Sequence, residues 1–406
     1  MNKKKKQIVI VGAGYAGLLA AVRLWKKTKR LSVAITLVDA EATFGERTRF
    51  QQLATGQQLT RWSIVDFLHG TAVHFCQGYV SQLDPQQQQI TIETAIGNQQ
   101  LPYDYLLVAL GSTTQVNTVP GAKQFAYTLN RDSARALARQ MAHRNGGEQL
   151  VIVGGGPTGL EAAAEFAEQH PDLRVTLLTD NKIGQMLSSK AEAYLRQALE
   201  RLQIEVREGV RITAVFETHV QQENGEQQAY DYCLWTGGFV ASPLAQKAGV
   251  TVNQRNQILI DPTMRSVSHP TIYAVGDAAH SVEPPGAPVR MSQFFALVSG
   301  AHAADCLVAQ LTNRPAHPFG MSWVGLAVSL GRQDCVAQFL RPNDTPLNLY
   351  LTGKAAVSFK EFFVKFAIWS INIQRTAPWM FAWLGKNKMR GKHATNPPMT
   401  TPAILD

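Results

Sequence analysis

Two stretches of this chain read almost alike: residues 8–21, IVIVGAGYAGLLAA, and residues 150–163, LVIVGGGPTGLEAA. Each is a β-branched run that breaks at glycines and passes into a helical pattern. Each is also followed by a second apolar run, 33–38 (VAITLV) in the first case and 175–178 (VTLL) in the other. Strand, glycine turn, helix, strand is the opening unit of a doubly wound α/β domain. A repeat of it about 140 residues on means that the unit is built twice. The expected fold class is therefore α/β, with two Rossmann-like dinucleotide-binding domains and a C-terminal segment.

The glycines of such a turn have separate tasks. Gly12 and Gly154 allow the tight strand-to-helix turn. Gly14 and Gly156 let a diphosphate approach the backbone, and Gly17 and Gly159 let helix and sheet pack closely. The helix N-terminus then offers free N–H groups to the phosphates. One G-x-G-x-x-G is weak evidence, since glycine turns also serve packing; two, each framed by strands, are strong. Two such sites imply two dinucleotides, and a flavin with a nicotinamide is the productive pair. Asp39, at the end of the second strand, is placed to accept hydrogen bonds from a ribose diol. The aligned position in the repeat is Thr179, followed by Asp180 with Lys182 nearby, which leaves NADH and NADPH both open.

With 406 residues, two or three domains are expected. The net charge of +9 is carried partly at the ends, in Lys3 to Lys6 and in Lys386, Lys388, Arg390 and Lys392. No nucleic-acid motif with interleaved aromatics accompanies it, so no nucleic-acid partner is expected. Cys76, Cys233, Cys306 and Cys335 are far apart, which suits neither a local zinc site nor a vicinal dithiol, and no metal set is assigned. Reduced, mostly buried thiols in a cytoplasmic protein are expected. The lysines before Ile8 imitate an export signal, but the glycine spacing explains the apolar run and no cleavage site follows. No stretch reaches roughly 18 uninterrupted apolar residues.

Three further motifs appear in order: LLVALG at 106–111, WTGG at 235–238 and TIYAVGDAA at 271–279. With the two glycine turns, they resemble the pyridine nucleotide-disulfide oxidoreductase superfamily over roughly residues 7–310. The resemblance implies that the first site holds FAD and the second NADH or NADPH. It places Gly276 and Asp277 at the ribityl-phosphate region, Ala109 and Gly111 near the domain crossover, and Gly237 in the motif that closes over the nicotinamide cofactor. Val80 joins the residues expected around FAD. The implied division is an FAD domain over 1–115 and 263–335, an NAD(P)H domain over 116–262, and a C-terminal segment over 336–406.

The superfamily's C-x-x-x-x-C is missing. The stretch in its place, 43–56 (TFGERTRFQQLATG), has no cysteine, so a flavin-to-dithiol relay cannot run here. The chain instead resembles the branch holding type II NADH:quinone oxidoreductases and apoptosis-inducing-factor-like reductases, whose flavin hands electrons directly to a second substrate. That implies Arg47 or Arg49 and Gln51 near the isoalloxazine, with solvated loop charges as the other reading of the arginines. Glu161 would lie near nicotinamide and flavin, or would simply favour its helix dipole. Gln293 fits the first glutamine of that branch's A-Q-x-A-x-Q, while the second is replaced by an apolar residue. Phe294 and Phe295 could flank a flat ring or be helix core.

Between Ser358 and Ile373, Phe359, Phe362, Phe363, Phe366, Trp369 and Ile373 recur at helical spacing. With the cations that follow, this stripe suits a helix at a membrane interface, or one packed on the body or in a homodimer. From about Lys392 a polar, proline-containing tail reads as disordered. The leading reading is an FAD-dependent NAD(P)H:quinone reductase, peripheral on the inner face of the cell membrane. A soluble reductase for a protein or small-molecule acceptor and an NAD(P)H-sensing flavoprotein remain as alternatives.

Overall fold

The repeat becomes two parallel sheets of one topology in the computed structural model, which describes residues 5–283 and 287–384. In the first sheet the strand order is Ile272–Ala274, Tyr105–Val108, Lys6–Val11, Val33–Asp39 and Val73–Gln77. The second runs Tyr127–Thr128, Tyr232–Trp235, Gln149–Val153, Arg174–Thr179 and Glu205–Glu208. In each, the strand entering the glycine turn is central. Covered on both faces, it reads as a continuous apolar run: Ile8–Val11 and Leu150–Val153 are all buried. Each sheet is accompanied by a three-stranded antiparallel meander, Tyr79–Pro102 in one and Ile212–Ala229 in the other.

The helix after the first turn, Tyr15–Thr28, packs along Gln293–Leu311. A side chain at Gly300 would come within 2.5 Å of the Ala16 carbonyl oxygen, so glycine is what allows the two helices to approach this closely. The helix Gln293–Leu311 is long and apolar enough to cross a membrane, with a mean hydropathy of 1.4, yet most of it lies in the core of the first domain.

Two expected boundaries move. Leu244, Ala245, Val250 and Ile258 are buried with Val9, Val38 and Leu106, so the chain has rejoined the first domain's core well before residue 262. The boundary at 335/336 cuts a hairpin, because Gly325–Ser329 pairs antiparallel with Cys335–Leu340, which pairs with Pro346–Thr352.

From this small sheet rises the helix Gly353–Ile373. Its buried face is small and aliphatic, carrying Ala356, Val364, Ala367 and Ile371. The aromatic stripe divides: Phe359, Phe366 and Ile373 pack against the body, while Phe362, Phe363 and Trp369 are exposed, with Phe366 stacked between Phe362 and Trp369 at 6.2 and 5.3 Å. Trp379, Met380 and Leu384 extend the exposed apolar surface. The basic residues Lys386, Lys388, Arg390 and Lys392 and the tail lie outside the described residues.

Candidate functional site

Both glycine turns have the same stereochemistry. Gly12 and Gly154 hold φ of +101° and +118°, which L side chains rarely adopt. A Cβ on Gly17 would lie 1.8 Å from the Gly12 carbonyl oxygen, and one on Gly159 would lie 1.8 Å from that of Gly154. Those positions are closed by packing. At Gly14 and Gly156, by contrast, no atom lies within 4 Å of where a Cβ would stand. Each turn therefore keeps an open space over the helix N-terminus at its middle glycine, the place a diphosphate needs.

Around the first turn the polar groups converge. Asp39 accepts from the Ala13 amide at 2.6 Å and the Glu41 amide at 2.9 Å, which fixes its carboxylate beside the turn. Asp277 accepts from the Ser112 hydroxyl at 2.7 Å, and the Arg47 guanidinium donates to the Ser112 carbonyl. Gly276, at φ +58°, donates its amide to the buried Ser299 hydroxyl on Gln293–Leu311. Ala109 and Gly111 border this group; a Cβ on Gly12 would lie 2.3 Å from the Ala109 carbonyl oxygen, and one on Gly111 would meet Arg47. The Tyr15 and Thr48 hydroxyls and the Gln293 amide nitrogen are buried beside one another without well-formed hydrogen bonds among the described residues. Burial pushes the Tyr15 phenol up to about 12, with Thr48 opposing. Polar atoms left unsatisfied like this are costly, and three elements supply them to one spot. A flat cofactor with a polar edge and a diphosphate tail fits these residues.

The domains meet at Glu161, on the helix Pro157–Gln169 that follows the second turn. Its carboxylate receives the Ser329 amide at 3.1 Å, the Lys360 ammonium and, at 3.4 Å, the side-chain amide of Gln51. Lys360 also donates to the Ser329 hydroxyl at 2.7 Å. Its neighbour Glu361 accepts from Arg49, which is paired with Glu46 as well. The Arg49 guanidinium is thus committed to two carboxylates and ties 43–56 to the C-terminal helix. Arg47 stays with Ser112 and Asp277, and Gln51 reaches the crossing.

Around the second turn, Thr179 is buried, and a Cβ on Gly155 would meet its hydroxyl at 2.6 Å, so it cannot act as Asp39 does. The exposed Asp180 and Lys182 are what remain at this strand end. Gly237 accepts the Trp235 indole at 3.0 Å, and the Thr236 hydroxyl donates to Val153. Val80 and Phe295 are buried in the core, and Leu297 stands buried where a second glutamine would be. All four cysteines are free. Burial pushes the Cys233, Cys306 and Cys335 thiols up to about 12, which keeps them protonated and unreactive.

Lys360, Glu361 and Ser329 escaped the sequence reading. Lys360 and Glu161 are 199 positions apart, and neither local pattern hints at the pairing.

Two matching parallel sheets, each with an open glycine cradle and joined at a half-buried carboxylate, define a two-dinucleotide oxidoreductase. The chain belongs to the pyridine nucleotide-disulphide oxidoreductase family, which matches residues 6–303. It is an FAD-dependent NAD(P)H oxidoreductase. It is 26% identical to the demethylphylloquinone reductase of Synechocystis sp. over 410 residues, covering 95% of this chain and 98% of that one. With the type II NADH:quinone oxidoreductase of Mycobacterium tuberculosis it shares 25% over 380 residues, covering 82% and 79%. The fold is that of NDH2 from Plasmodium falciparum solved with NADH, with a TM-score of 0.76 at 17% identity, covering 93% and 98%.

Proposed function

We propose that the chain takes hydride from NADH or NADPH at the second glycine turn onto FAD held at the first, and passes the electrons to a quinone. The observation that carries this is the meeting of Gln51 and Glu161, which brings the segment over the first cradle to the helix of the second. FAD, when bound, supplies a carrier that accepts a hydride and releases electrons to a different substrate. In this reading Gly14 leaves room for the FAD diphosphate, Asp39 holds its ribose, and Asp277 with Arg47 fixes the ribityl side. Gly156 and Gly237 border the nicotinamide cofactor. Glu161, held by Lys360 and Ser329, orients what lies at the crossing, and the packing around it excludes water.

The relatives named for quinones support the acceptor class. The exposed Phe362, Trp369, Trp379 and Leu384 support attachment to a membrane surface, where a long-tailed quinone resides. The test is sedimentation with anionic vesicles, joined to NAD(P)H oxidation with soluble and long-tailed quinones. Phe362→Ser with Trp379→Ser should leave the soluble quinone reaction unchanged while vesicle binding and use of the long-tailed quinone fall together. Wild-type protein that ignores vesicles at low salt would refute the membrane part; flavin that bleaches with NAD(P)H but reduces no quinone would refute the acceptor.

A further inference from the structure

A second cleft has neither glycine turn in its lining. It encloses about 550 Å³ between the segment 43–61 of the first domain and the helix Arg131–Met141 of the second. Its size is that of a small-molecule site. Its charge is one-sided. Arg61, Arg131, Arg135 and Arg139 line it, and the single acidic residue among its lining, Glu46, has its carboxylate taken by the Trp62 indole and Arg49.

Arg131 is a fixed strut: it donates to Glu41 and to the Thr43 hydroxyl and carbonyl, holding the two domains together. Arg61, Arg135 and Arg139 are exposed and enter no ion pair among the described residues. Arg135 and Arg139 follow Arg131 at intervals of four, so they stand on one helix face with about 6 Å between successive turns. The half-buried Leu53 and Leu59 and the edges of the buried Phe44 and Phe50 also line the cleft. Planar guanidiniums bind phosphate in bidentate fashion, and neighbouring like charges gain when an anion joins them.

We propose that this cleft binds a nucleoside di- or triphosphate, with its phosphates on Arg61, Arg135 and Arg139 and its base against the apolar wall. None of the glycines of either cradle lines it. One wall is the segment that also carries Gln51 to the crossing, so an occupant would clamp that segment to the second domain.

The test is calorimetric titration of ADP and of inorganic pyrophosphate into full-length, FAD-loaded protein carrying Gly156→Leu, which closes the second cradle to nucleotides. ADP should bind once per chain, and more tightly than pyrophosphate. Arg135→Gln with Arg139→Gln, exposed helix positions where glutamine keeps helix propensity, should weaken ADP by about tenfold per guanidinium lost. The Arg→Lys pair should recover part of that, because charge returns without the planar fork. The same double glutamine change in otherwise wild-type protein should leave NAD(P)H oxidation without ADP unaltered. Absence of ADP binding, ADP affinity untouched by the double change, or pyrophosphate binding as tightly as ADP would overturn the assignment.

Discussion

At the first glycine turn, Asp39 presents a fixed carboxylate beside the cradle, and Asp277, Arg47, Thr48 and Gln293 close around it. The corresponding strand end of the second turn offers only the buried Thr179 and, in solvent, Asp180 and Lys182. The backbones of the turns are nearly superimposable in their constraints; the difference lies in the covering. A roofed cradle retains its ligand, while an open one lets its ligand exchange, as a resident flavin and a diffusing nicotinamide require. The helices after the two turns are also anchored differently. The first is locked through the buried Arg23, which binds Asp305, the Gln374 side chain and the Pro378 carbonyl. The second is held near its N-terminus through Glu161 and Lys360, at the crossing itself.

The largest effect should come from Gly14→Leu. The protein should fold, since the side chain enters open space, but flavin absorbance per chain should fall to near zero. Full flavin occupancy would remove the first turn from the FAD site.

Lys360→Met should come next. The pair with Glu161 is largely buried, so stripping one partner should cost roughly 3 kcal/mol of stability. Flavin reduction by NAD(P)H should slow while flavin content stays full. Glu161→Gln added to Lys360→Met should restore part of the stability, as measured by denaturant unfolding. An unchanged reduction rate in the Lys360 variant would make that anchor a packing device like Arg23.

The first helix's anchor should instead respond to acid. Burial alone would raise the Asp305 carboxyl, but the hydrogen bonds and charge of Arg23, with Lys27, outweigh it and hold the group well below the usual carboxylate range. A depressed folded pKa adds stability that is present above the unfolded value, about 4, and lost as pH falls below it. The stability gap between wild type and Asp305→Asn should therefore be constant near neutrality and shrink below about pH 4. A gap that widened in acid would contradict this.

Much of this contrast could be read in the sequence, and the reason is locality. Glycine spacing, β-branched runs and a terminal aspartate act within about 30 residues, so both turns, Asp39 and the sheet core were legible from pattern alone. The ion pair of Arg49 is not legible because its partner, Glu361, arrives from a helix 312 positions later. Lys360 sits within the aromatic stripe with no local pattern to mark it, and only the folded chain brings it to Glu161. The return to the first domain near Leu244 was likewise invisible, since short apolar pieces carry no label of the core they join.

The smallest effect concerns the open strand end. Lys182→Ala should raise the KM for NADPH relative to NADH by no more than about fivefold, as befits an exposed charge. Asp180→Asn should shift the ratio the other way. A change of a hundredfold would mean that this end is far more enclosed than the structure has it.

The division of labour between the turns is tested most directly by rapid anaerobic mixing of Gly156→Leu with NADH. We expect the variant to carry flavin as fully as wild type and to show almost no bleaching at concentrations that reduce wild type completely. Bleaching at the wild-type rate, or loss of flavin from this variant, would contradict the assignment of a resident cofactor to the first turn and an exchanging one to the second.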